Sequence, residues 1–287
     1  MKARVQILSC VIPSPVARFW RRGARDLLLG SRRFVRSAIT IGLIAVISLS
    51  AQAPEPIPLA HGNVPGEPHH HLKIENEFVR VYYVEVPPHE NTQLHQHDHD
   101  YIYVSLGPSD VVNAPLNKPE VHLTLKDGET HFTRGGFAHV ARNLSDAPFR
   151  NITIELLKPQ ENLENLCQKI VDGELGECHP TQNRWISGEP YFRSTEMAVF
   201  FGTLKPKAEL TTVPSMDHLL VAMDQTEIEV SFPDPRKGPR PGWDATTRLG
   251  PGSTLWIAAN RPETIKNLRA QPSSYAYISF KDSGRKK

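Results

Sequence analysis

The stretch Pro88-His89-Glu90-Asn91-Thr92-Gln93-Leu94-His95-Gln96-His97 sets two imidazoles two residues apart. On a β-strand that spacing turns both rings to one face, where they can reach a single metal ion. Further along, Gly128 is followed by Arg134-Gly135-Gly136, then by His139 and Asn143, so a third imidazole follows a glycine-rich turn. With 13 histidines in the chain, either motif alone says little. Their order and spacing, with Gly107 and Gly128 bounding a short intervening segment, make the pair specific.

The pair resembles the two motifs of the cupin superfamily, in which His-x-His and a later lone His hold a metal inside a small β-barrel. The resemblance implies a metal held by His95, His97 and His139. Family members with three His and one carboxylate carry a Glu shortly after the second His, whereas here the region reads Asp98-His99-Asp100-Tyr101. Asp100 is the nearest substitute, because six residues separate it from Gly107 as the motif requires. A three-His site, a site completed by Asp100 and a site using His99 all stay open, and so does a plain polar strand end over residues 98–100. His99 is kept because it continues the period-two face of His95 and His97.

Strand-like alternation runs through residues 78–86, and further strands are expected at 101–106, 121–125 and 151–157. Turns rich in Gly, Pro and Asn separate them, and a helical apolar period occurs only briefly, over residues 161–170. Many short strands with regular turns indicate an all-β sandwich or barrel. The segment before them, residues 54–75, is rich in Pro and His and reads as a flexible lead. In that setting His69-His70-His71 reads as a fortuitous cluster rather than a ligand set.

Residues 191–282 read as a worn copy of the first barrel. The steps from Gly252 through Ala258 and Asn260 to Glu263 and Asn267 repeat those from Gly128 to Asn143, with Glu263 in the place of His139. Asp217 to Asp224 repeats the pattern of Asp100 to Gly107, and Thr212 and Pro214 then replace His95 and His97. Proline cannot ligate a metal, and Thr does so poorly. The expected fold is therefore two tandem cupin barrels (each a double-stranded β-helix, or jelly roll). The first, residues 76–158, bears the metal; the second is metal-free and buries apolar surface against the first or, in a homodimer, against a second subunit.

Residues 1–53 carry nine basic side chains and one acid, Asp26, then an apolar run from Ala38 to Leu49 and the small-x-small sequence Ala51-Gln52-Ala53. That is the anatomy of an export signal, with an apolar run too short for a comfortable membrane span. Ser31-Arg32-Arg33-Phe34-Val35-Arg36 resembles a twin-arginine signal, and an uncleaved N-terminal anchor is the competing reading. Without this segment the formal charge of +2 becomes −6, so the composition gives nucleic-acid binding no support. A periplasmic or secreted location follows. In an oxidising compartment Cys167 and Cys178, inside the 159–190 linker, are expected to pair as a disulfide.

Neutral imidazoles accept Fe, Mn, Ni, Cu, Co or Zn, so one divalent metal is expected without its identity being fixed. Tyr101 shares parity with the histidines and is a candidate acid, base or oxygen-steering group. Arg134 stands where the motif normally has Pro and is a candidate for attracting an anionic substrate. The resemblance implies a dioxygenase-type oxidoreductase acting on a small organic acid or phenolic compound. The competing class is a non-catalytic envelope protein binding a small anionic ligand at the metal.

Overall fold

Side chains along the strand Val79–Val86 divide between two cores. Val79 and Val81 join an apolar cluster with Ile102, Val104, Ile152 and Ile154, while Tyr82, Val84 and Val86 join another with Val111, Leu125 and Phe149. Successive strand residues face opposite ways, so this sheet is covered on both faces. The computed structural model describes residues 62–165, 170–171, 174–178, 190–232 and 246–281, all within the unit Ile57–Lys287. The described residues form β-strands and one 3-10 turn, Val64–Gly66, with no α-helix and no helix long and apolar enough to cross a membrane.

The first barrel pairs two sheets. One runs in the order Ile170–Val171, Glu174–Cys178, Thr130–Thr133, Tyr101–Ser105, Phe149–Leu156, Val79–Val86, His70–Glu75. The other runs Gly62–Asn63, His95–His97, Phe137–Asn143, Ser109–Pro115, Val121–Leu125. The second barrel is built likewise. Its larger sheet is Glu164–Asn165, Phe192–Arg193, Met197–Leu204, Ser273–Phe280, Asp217–Ala222, Thr254–Ile257, and its smaller one is Glu209–Thr212, Glu263–Asn267, Ile228–Ser231, Thr246–Leu249. The chain is thus all-β, as expected.

The larger sheets of the two barrels share one core. Val199, Phe201, Leu219, Val221 and Ile278 of the second barrel lie in the same cluster as Val79, Ile102 and Ile154 of the first. Each such side chain removed from water is worth roughly 1.5–3 kcal/mol. The second barrel's apolar surface is therefore buried against the first.

Register confirms the internal repeat. His95 lies opposite His139, and Thr212 lies opposite Glu263 in the same pairing of strands. Asn143 donates its side-chain amide to the carbonyls of Val86, Pro87 and Ala147, and Asn267 donates to those of Leu204, Lys205 and Gln271. Counting on from these two asparagines, Tyr275 and Tyr277 stand where Asn151 and Thr153 stand in the first barrel. Both tyrosines belong to the second barrel's interior cluster, so bulky rings fill what small polar residues leave open in the first.

Three sequence expectations are corrected. The lead 54–75 is not uniformly irregular: Gly62–Asn63 and His70–Glu75 are strands of the first barrel, so that barrel starts before residue 76. A register shift between Leu72 and Ile74 breaks strict alternation there and hides the strand from a period-two reading. The short helical period over 161–170 gives strands, Glu164–Asn165 and Ile170–Val171, because both pair with neighbouring strands. The linker likewise extends the sheets, with Glu174–Cys178 paired to Thr130–Thr133. The expected disulfide rests on the side chains of Cys167 and Cys178, and the export signal on residues 1–53; both lie outside the described residues.

Candidate metal centre

The parity of the strand His95–His97 sends both imidazoles into the first barrel, where His95 and His97 are almost fully buried. Phe137–Asn143 runs antiparallel beside it and brings His139 opposite His95. The turn before it is held tightly: the Gly136 N–H donates to the His97 carbonyl at 2.7 Å. A side chain at Gly135 would put its Cβ 2.4 Å from the carbonyl carbon of His99, so the motif needs glycine there. A fourth ring joins from the segment read as a lead. His70 lies 4.7 Å from His95 and 6.2 Å from His97, centroid to centroid.

The ring nitrogens are oriented by oxygen acceptors. His95 Nδ1 lies 2.8 Å from the Gln93 carbonyl oxygen, and His139 Nδ1 lies 2.6 Å from Asn113 Oδ1. A neutral imidazole carries one N–H, and these acceptors assign it to Nδ1 in both rings. Their Nε2 atoms then carry lone pairs, and they face one another at 3.1 Å. A hydrogen bond between them would require a proton on one Nε2, leaving its Nδ1 bare against an oxygen or the ring charged in a buried site. A cation between the two lone pairs removes the conflict. The residues present fit a metal ion.

Electrostatics agrees. Burial, reinforced by His70, lowers His95 from 6.5 to about 4, and burial holds His97 and His139 well below the usual imidazole value. The rings are neutral near pH 7, as ligands must be. Glu67 shows the opposite balance. Burial alone would raise it, but the bond and charge of His70 and the N–H groups of Gln93 and His69 bring it down to about 2. Glu155 is buried 3.7 Å from His97 Nδ1, its carboxyl raised by burial. Tyr82 is pushed up to about 12 by burial and by Glu155.

The other expected site residues fall in different places. Tyr101 is buried and stacks on His97, centroids 4.1 Å apart, and it lines the cavity. Asp100 does not join the histidines. Its oxygens accept from Arg134 Nη1 at 2.7 Å and from the Gly135 N–H at 3.0 Å. The reason is parity: Tyr101 and Tyr103 face the barrel interior, so the residue before Tyr101 faces away. Arg134 is spent on Asp100 and on the Gln160 carbonyl and does not line the cavity. His99 is also absent from the cavity wall. His70, Glu67, Asn113 and Glu155 are the polar groups the sequence reading missed.

The cavity encloses about 640 Å³, its mouth included. Val84, Val111, Leu125 and Phe149 form its apolar wall, with Asn113, Asn151 and Thr153 among the polar positions. Among the described residues no Lys or Arg lines it. At the corresponding point of the second barrel Glu263 Oε2 accepts from His218 Nε2 at 3.0 Å, both side chains fully buried, and His218 stacks on Tyr277 at 4.5 Å.

No family model matches the sequence, and no curated protein does. Solved structures do. AerE from Microcystis aeruginosa aligns with TM-score 0.48 and 12% identity over 75% of this chain and 99% of its own. Salicylate 1,2-dioxygenase from Pseudaminobacter salicylatoxidans aligns with TM-score 0.46 and 13% identity over 70% of each chain. A cupin domain from Bordetella pertussis Tohama I is 28% identical over 30% of this chain and 90% of its own, with TM-score 0.29. These are proteins to which the chain is similar. The strand order, paired sheets and motif positions described above are those of the cupin fold, built twice.

Proposed function

We propose that the first barrel binds one divalent metal through His95, His97 and His139, and that the protein is an exported dioxygenase-type oxidoreductase acting on a small organic acid or phenolic compound. The observation that carries this reading is the pair of bare Nε2 atoms of His95 and His139 facing each other at 3.1 Å. Bound at such a site, a transition metal supplies a Lewis-acidic and redox-capable centre with positions left for substrate and oxygen.

The chain's own residues shape what reaches that centre. Val84, Val111, Leu125 and Phe149 exclude water and accept an apolar ring, while Asn151 and Thr153 offer hydrogen bonds to its polar substituents. Tyr101 holds the plane of His97 by stacking. Among the described residues the wall has no Lys or Arg, so a substrate carboxylate would find its counter-charge at the metal itself. Export rests on the basic, apolar and small-residue sequence of residues 1–53.

The test is oxygen uptake by Fe-, Mn-, Ni- and Cu-loaded protein over a panel of phenols, diketones and thiol acids. Turnover of a phenol or an organic acid that vanishes in His95→Ala is the expected result. Ligand binding without chemical change across every metal would refute the enzyme and favour the envelope binding protein.

A further inference from the structure

We infer that His70 is a fourth ligand of this metal centre, delivered by an N-terminal strap, residues 62–71, whose docking is coupled to metal binding. The inference rests on the three-histidine reading above and goes beyond it, because His70 lies outside both sequence motifs.

The geometry is the first support. One ligand nitrogen each of His70, His95 and His97 can be chosen so that all lie within 4.8 Å of one another. His70 Nδ1 is 2.5 Å from Glu67 Oε2, so in the neutral ring that metal binding requires the proton points at the carboxylate and Nε2 is bare, as in His95 and His139. The position that other members fill with a carboxylate is taken here by groups otherwise engaged. Asp100 turns outward to Arg134, and the Tyr101 ring lies flat on His97.

The strap's anchoring is the second. Glu67 is buried and works as a hub: Oε2 accepts from His70 Nδ1 and from the His69 N–H at 2.9 Å, and Oε1 accepts from the Gln93 N–H at 3.0 Å. Gln93 is two residues before His95 and holds that ring through its carbonyl. Gly62 and Asn63 run parallel to His95 and Gln96, and the Val64 side chain is buried in the first barrel's core. One buried carboxylate therefore joins the strap to the strand that carries His95 and His97. A carboxylate behind a ligating imidazole fixes its tautomer and strengthens its donor nitrogen. Linkage makes the effect reciprocal: metal holds the strap down as strongly as the docked strap raises metal affinity.

The experiment uses the full chain, with Zn2+ affinity measured by chelator competition, the visible spectrum of the Co2+ form, and amide exchange over residues 62–71. Glu67→Gln should weaken Zn2+ binding roughly 10- to 100-fold, and His70→Ala at least as much. Both should change the Co2+ spectrum, and metal should slow exchange in the strap of the parent protein but not of His70→Ala. His139→Ala should abolish binding altogether.

An unchanged affinity and spectrum in His70→Ala, with binding lost in His139→Ala, would overturn the fourth ligand and leave the three-histidine site standing. Failure of the parent protein to bind any metal would sink both readings. If His70→Ala does not fold, Glu67→Gln decides: unaltered affinity and strap exchange refute the coupling.

Discussion

Stripped of metal, the protein should lose stability steeply as pH falls from 6.5 toward 4, the range over which His95 resists protonation. Above 6.5 this ring is neutral both folded and unfolded, and it contributes no pH dependence. Below it, the unfolded ring takes up a proton that the buried ring refuses until about 4. The unfolded state then binds more protons, so stability falls as pH falls. The displacement of His95 alone is worth about 3 kcal/mol, a large part of the roughly 5–15 kcal/mol that holds a typical domain. His97 and His139 add to the loss with the same sign. Glu67, drawn down to about 2, stays ionised across this window and gives up its contribution only as pH falls from 4.5 through that value. The assay is urea unfolding followed by tryptophan fluorescence in excess chelator, at several pH values between about 7.5 and 4.5. His95→Asn should show a visibly shallower pH slope. A flat stability in the chelated parent, or an undiminished slope in His95→Asn, would refute the account of buried neutral imidazoles.

Asn113→Ala removes the acceptor of His139 Nδ1 and should weaken metal binding roughly 10- to 100-fold, read by the same chelator competition. Asp100→Ala frees Arg134 and the Gly135 N–H and should lower the unfolding free energy by an amount on the order of 1–2 kcal/mol, yet leave one metal per chain by elemental analysis. Loss of metal in that variant would restore Asp100 as a ligand. Gly202→Ala would place a Cβ 2.3 Å from Cζ of Tyr275, so it should destabilise by about 1–3 kcal/mol or more in denaturant unfolding without changing metal stoichiometry.

Local periodicity explains what could be read from the chain. The strand over residues 78–86, the shared face of His95 and His97, and the repeated spacing ending at Asn143 and Asn267 are all short-range patterns that survive folding. Pairing is not short-range. His70 reaches the centre only because its strand pairs with Val79–Val86, and a register shift after Leu72 spoils the alternation that would have announced it. Asp100 illustrates the reverse error. Its distance from Gly107 fits the motif, but the same parity that brings Tyr101 inward carries Asp100 out to Arg134. Glu155 and Asn113 arrive from strands far along the chain, and nothing near them in sequence hints at a histidine.

The core shared between the larger sheets makes the histidine-bearing half non-portable. Excising it would lay bare Val79, Val81, Ile102, Val104, Ile152 and Ile154 together, at a cost on the order of 10 kcal/mol, comparable with the stability of a whole domain. The half that holds the histidines thus borrows its solidity from the other barrel. A lesion at Leu219 or Ile278, in the other barrel, would be felt at the strands beneath His95, His97 and His139.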